Sequence, residues 1–211
     1  IVGDEENQAQ FVYLNEAGTK LRPGKSFRLL EGDEELDAEG IATDGESFYI
    51  TGSHGLGRRT GKDQAARFQV VQVSADGEVT GHGSLSNAFR ADPLLSGYFK
   101  VPLQENGINV EGRTFWNGRL FAGLRSPVLH GKAWMISMLP EDILSQSIAH
   151  DTHSVDLEEG HGIRSMSTCR DGILILSGAA APDGGLAPIV WFWDGERTRD
   201  IARPEGIKGK A

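Results

Sequence analysis

A single cysteine, Cys169, occurs in the 211 residues, so no disulfide can form within the chain. Its setting, Ser165-Met166-Ser167-Thr168-Cys169, reads as a buried strand in which a lone thiol packs as a small hydrophobe. Without a disulfide the compartment stays open, cytoplasmic or extracytoplasmic. Basic clusters are equally scarce. The densest stretch is Arg58-Arg59 with Lys62 and Arg67, read as solvated loop charge, and the net charge is −9. A nucleic-acid binder would carry a basic face. The acidic balance excludes that class and favours a cation or a small polar ligand as partner. No apolar run approaches the roughly 20 residues of a membrane span, so no membrane insertion is expected. Ile1 to Glu6 carry neither a basic nor an apolar signal region, and a leader already removed remains compatible with that. No Gly-x-Ser-x-Gly elbow is present, and Gly52-Ser53-His54-Gly55-Leu56-Gly57 lacks the Lys-Ser/Thr of a phosphate loop.

Glycine is abundant instead. Its 28 copies follow no Gly-X-Y period and point to the many tight turns of an all-β fold. One phrase recurs. Asp37-Ala38-Glu39-Gly40 runs to a turn at Asp44-Gly45 and the strand Phe48-Tyr49-Ile50-Thr51-Gly52-Ser53-His54. Asn109-Val110-Glu111-Gly112 runs to Asn117-Gly118 and Leu120-Phe121-Ala122-Gly123-Leu124-Arg125. A degenerate copy, Gly162-Ile163-Arg164, turns at Asp171-Gly172 and continues to Gly178. Repeats of roughly 40–50 residues built from short strands mark a β-propeller. The expectation is one all-β domain over 1–211, a propeller or part of one, with about four to six four-stranded blades. Equivalent residues of each repeat would then face one axis.

Between the repeats, Glu31 to Asp37 reads as a solvated acidic linker. Arg67 to Val73 and Val79 to Leu85 read as outer strands around Asp76-Gly77. Asn87 to Gly107 interrupts the pattern, with a helical turn at Ala91-Asp92-Pro93-Leu94-Leu95. Such an insertion covers one mouth of a propeller and is a common place for function. Pro140 to Leu144 starts a short helix, and His153 to Leu157 supplies an edge strand. At the C-terminal end, Pro204-Glu205-Gly206-Ile207 looks like a fresh Glu-Gly strand start. Either the last strands close a ring of about four blades beside the N-terminal ones, or the chain is a portion of a larger propeller. The liability of open β-edges favours the portion.

Taken together, these phrases resemble a bacterial family known as domain of unknown function 3616. The carrying segments are Val2-Gly3-Asp4-Glu5-Glu6-Asn7, Asp37 to Gly40 with Thr51-Gly52-Ser53-His54-Gly55, Gly107 to Gly112, Gly123-Leu124-Arg125-Ser126-Pro127, and Gly160-His161-Gly162-Ile163-Arg164. The resemblance implies a β-propeller and carries no established activity. The Glu-Gly phrase is also similar to inner-strand phrases of calcium-dependent lactonases and of an esterase-like phytase group. There an inner-strand Glu ligates a cation on the axis, a likeness of fold alone.

Two readings of the repeated acids stay open. Glu39 and Glu111, with Asp37 and Asn109, offer oxygens suited to a hard cation such as Ca²⁺. Arg164 takes the same place in the third copy, and an Arg there can replace a metal by pairing with both carboxylates. Glu39, Glu111 and Arg164 are then an ion-pair lock between blades. His54 and Arg125 sit at matching places after the second strands. They either line the mouth and bind a polar or anionic ligand, or satisfy loop carbonyls and carboxylates. The expected function is binding of a small polar ligand or cation at one mouth. The alternative is a calcium-dependent hydrolase of an ester, lactone or phosphoester, with Glu39 and Glu111 on the cation and His54 as the candidate for proton transfer. His150 and His153 form a weak metal pair, His161 reads as a turn residue, and Trp116, Trp134, Trp191 and Trp193 read as core.

Overall fold

A computed structural model describes residues 1–2, 7–57, 61–181 and 185–204. The Gly3–Glu6 part of the resemblance, the Arg58-Arg59 pair and the Glu205-Gly206-Ile207 strand start lie outside the described residues.

Twelve strands form three antiparallel four-stranded sheets whose spatial order follows the chain. The first holds β3 (Ala38–Thr43), β4 (Ser47–Gly52), β5 (Val70–Ser74) and β6 (Val79–Gly83). The second holds β7 (Asn109–Trp116), β8 (Arg119–Ser126), β9 (Ala133–Met138) and β10 (Asp151–Val155). The third holds β11 (His161–Cys169), β12 (Gly172–Ala179), β13 (Ile189–Trp193) and β14 (Thr198–Ala202). A two-stranded hairpin, β1 (Gln8–Leu14) and β2 (Leu21–Arg28), precedes them. The fold is thus all-β with blade-like sheets. The described residues provide three blade-like four-stranded sheets against the four to six blades expected; ahead of them β1 pairs with β2 and, through Ala9, bridges Val2.

Local chemistry explains the meander. Between β7 and β8, Trp116 pairs with Arg119, leaving the two-residue turn Asn117-Gly118 with φ of 50° and 76°. Asn and Gly tolerate that left-handed backbone, which matches the twist of the flanking strands. Between β3 and β4, the Asp44 carboxylate accepts from the Glu46 and Ser47 amides at 2.8 and 2.7 Å.

The blades stack face to face and bury their side chains between them. Tyr49, Val70, Leu85, Phe89, Val110 and Ile136 fill the space between the first and second blades. Phe121, Met135, Ile163, Ile175 and Trp193 fill that between the second and third. The hairpin packs on the first blade through Ala9, Leu29, Ile50 and Val71. Trp191 and Trp193 are buried, and Trp116 and Trp134 pack partly buried against the clusters. Strand β7 contacts both β3 and β11, so the three first strands are neighbours.

The insertion differs in detail from the sequence reading. Its helix, α1 (Ser86–Ala91), ends where the helical turn was expected to start. Asp92 stops it, and its carboxylate accepts from the Leu94 and Leu95 amides, both at 2.8 Å. The second helix, α2 (Pro140–Leu144), starts on its proline as expected. Arg67 and Phe68 lie in a 3₁₀ turn ahead of β5 rather than in the strand.

Candidate functional site

In each first strand the register slips at the same place. Pairing jumps from Ala38–Gly52 to Gly40–Thr51 in β3, and from Val110–Leu124 to Gly112–Gly123 in β7. In β11 it jumps from Ile163–Ser177 to Ser165–Leu176. The residues passed over are Glu39, Glu111 and Arg164. Such a bulge leaves one residue out of the ladder and re-aims its side chain. The third copy is therefore equivalent to the other two despite its Arg. A further slip in β8, between Ser126 and Leu124, passes over Arg125.

The bulges bring Glu111, Arg125 and Arg164 together. Arg125 Nη1 donates to Glu111 Oε1 at 3.0 Å, and Arg164 Nε pairs with Glu111 Oε2 at 2.7 Å. Arg125 also donates to the Ala180 and Ala181 carbonyls at 3.0 and 3.1 Å. This tie crosses from the second blade to the third. Glu111 and Arg125 are buried, so each charge depends on the other for its solvation.

Glu39 is different. It is half-buried, and among the described residues it makes no hydrogen bond or ion pair. Burial raises its carboxyl from 4.5 to about 7, and the Glu111 and Asp37 charges add to the effect. The Arg113 and Arg164 guanidiniums oppose them less strongly.

Arg113 is the group that sequence reasoning missed. It is 4% exposed. Its Nη2 donates to the Val110 carbonyl at 3.1 Å, while Nε and Nη1 have no hydrogen-bond partner among the described residues. Burial lowers its pKa to about 10, against the pull of Glu39, Glu111 and Asp37. The side chain crosses to the first blade, where a Cβ on Gly40 would stand 2.8 Å from Nη1. Gly112 likewise makes room for Ile163 and Met166 of the third blade. The glycine after each Glu thus admits a side chain of the next blade. The one available signal was an Arg two residues after Glu111, where the first copy has Ile41.

The acidic linker also turns inward at its end. Leu36 is fully buried, and Glu35 and Asp37 hold Arg67 at 2.5 and 2.7 Å. Arg67 is buried rather than solvated. The earlier part, Glu31 to Glu34, is exposed.

Of the two readings of His54, the structure agrees with the one in which it satisfies backbone groups, and not with a place at the mouth. It is wholly buried between Phe68 and Phe89. Its Nε2 accepts from the Leu85 amide at 3.1 Å, and Nδ1 lies 3.0 Å from the Gly52 carbonyl. The pair fixes a neutral tautomer with the proton on Nδ1. Burial lowers its pKa to about 4. With both nitrogens committed, it is not placed to exchange protons with a ligand.

The calcium set does not fit either. Ca²⁺ takes six to eight oxygens, but arginines hold both Glu111 oxygens and one Asp37 oxygen. Asn109 Oδ1 is buried without a hydrogen-bond partner among the described residues. Among the described residues no group of three or more His, Cys, Asp or Glu is placed to hold a metal ion. The two loop histidines separate, His150 to Asp92 at 3.0 Å and His153 to Ser137 at 2.9 Å. His161 opens β11 rather than a turn, buried, with Nδ1 2.8 Å from Ser177 Oγ. Cys169 ends β11 half-buried, less enclosed than expected.

These features define an all-β protein of stacked blade-like sheets with a charged cluster at the bulges of its first strands. The chain belongs to the family described as protein of unknown function (DUF3616), whose model matches residues 8–78 and 73–200. No curated protein matches it. Among the described residues no helix is long and apolar enough to cross a membrane.

Proposed function

We propose that the sheets are blades of a β-propeller and that the protein binds a small polar ligand where the bulges of β3, β7 and β11 converge. The observation that carries this reading is Glu39. Its counterparts Glu111 and Arg164 satisfy each other, whereas among the described residues Glu39 keeps its carboxyl without a partner, beside Nε and Nη1 of Arg113, which have none either. A carboxyl whose pKa is raised by burial and by neighbouring charges is a feature of functional sites. Near neutral pH it can donate as the acid or accept as the carboxylate, which suits a hydroxylated or amine-bearing ligand. Calcium-dependent hydrolysis of an ester, lactone or phosphoester gains no support, since arginines hold both Glu111 oxygens and one of Asp37, which leaves too few oxygens for the six to eight that Ca²⁺ takes.

Thermal unfolding with a panel of polyols, sugars, lactones and amines tests the reading. A specific ligand raises the midpoint of the wild type and leaves Glu39→Gln unmoved. No response in the wild type, or an equal rise in the variant, would overturn it.

A further inference from the structure

A polar cavity lies away from this cluster, at the junction of the first blade, the insertion and the loop after α2. Its volume is about 380 Å³, and Asp63, Ser84, Ser86, Arg90, Lys100 and Gln146 line it. We propose that it is a binding site for the oxyanion group of a small polar molecule, such as a phosphate or carboxylate.

Three observations support this assignment. First, both cations are fixed by aromatic rings. The Arg90 guanidinium stands 4.7 Å from the Phe99 ring centre, and Lys100 Nζ stands 5.1 Å from that of Phe68. Phe68, Phe89 and Phe99 pack together beneath them, so the cations rest on a rigid floor. Second, donors are left over. Among the described residues, Arg90 makes one hydrogen bond, from Nη1 to Asn87 Oδ1 at 3.1 Å, which leaves Nε and Nη2 for a bidentate acceptor. Two buried hydroxyls adjoin it. Ser84 Oγ donates to the Phe68 carbonyl at 2.6 Å, and Ser86 Oγ lies 2.8 Å from Ser84 Oγ. With the Ser84 hydrogen on that carbonyl, the Ser86 hydrogen lies on Ser84 Oγ, and Ser86 can donate to a ligand by exchanging that bond for one to the oxyanion.

Third, the wall is built before any ligand arrives. Asn87 donates to the Gln146 carbonyl at 2.7 Å, tying α1 to the second blade. Lys100 pairs with Asp63, so one carboxylate already shares the pocket and one positive charge remains uncompensated. That balance favours a singly or doubly charged oxyanion over a polyanion. The insertion supplies α1 and Lys100, which gives this interruption of the repeat a chemical role.

The probe is inorganic phosphate, followed by amide NMR of the whole chain at constant ionic strength, with sodium chloride as control. Saturable shifts are expected at Ser84, Ser86, Arg90 and Lys100 and not with chloride. Arg90 is exposed, so Arg90→Gln retains the fold. Loss of a charge-assisted contact should weaken binding by about tenfold or more. Glu39→Gln should leave the phosphate response unchanged, which separates this site from the bulge cluster. Absence of saturable shifts, or equal affinity in folded Arg90→Gln, would overturn the proposal.

Discussion

Replacing Glu39 by Gln should stabilise the protein, and the gain should grow with pH. The native carboxyl keeps its proton to about pH 7, whereas the unfolded one releases it near 4.5. Over that interval the native state binds more protons than the unfolded state. Wild-type stability therefore falls as pH rises from 4.5, and the loss is complete above about 7. A displacement of that size corresponds to about 3 kcal/mol, an upper figure for a half-buried group. Glutamine keeps the shape and removes the titration, so the variant escapes the loss. His54 tilts the wild-type curve the other way. It is held neutral to about pH 4, while the unfolded imidazole takes up a proton near 6.5, so it costs stability as pH falls. Subtracting wild type from variant cancels that contribution. Urea unfolding followed by tryptophan fluorescence, between about pH 5 and 8, gives the difference directly. A gain that does not increase with pH, or a loss at the alkaline end, would show that Glu39 is ion-paired and refute the argument.

Two other substitutions probe the neighbouring groups. Glu111→Gln should cost about 3–5 kcal/mol at neutral pH, because it removes the buried carboxylate that ties Arg125 to Arg164; a loss under about 1 kcal/mol by urea unfolding would contradict the tie between blades. His54→Phe should cost about 2 kcal/mol by orphaning the Leu85 amide and the Gly52 carbonyl. The same variant should flatten the acid limb of stability between about pH 6.5 and 4, and an unchanged limb would show that another group governs it.

Much of the architecture was legible because it rests on local rules. Asn117-Gly118 dictates a hairpin whatever surrounds it, and the apolar run Ile189 to Trp193 ahead of the Asp194-Gly195 turn marks a strand. The recurrence of Glu-Gly identified matching strand starts, and the place that Arg164 takes in the third copy agrees with the bulges. Where the reading failed, the deciding partner was remote in sequence. Arg67 looked like loop charge because Glu35 and Asp37 precede it by about thirty residues. The two readings of His54 stayed open because Leu85, whose amide it accepts, belongs to the start of the insertion.

The sequence by itself determined an all-β chain of repeated strand meanders, since turn chemistry and side-chain alternation act over a few residues. It also determined which charged residues stand at equivalent points of the repeats. Only the tertiary structure decided how they pair. Ion pairing depends on distances of a few ångströms and on burial, and both arise when one blade packs on the next. That packing gave Glu111 two arginines, left Glu39 with none, and drew Arg113 across to Gly40. Three residues of like standing in the repeat thus became one lock and one free carboxyl.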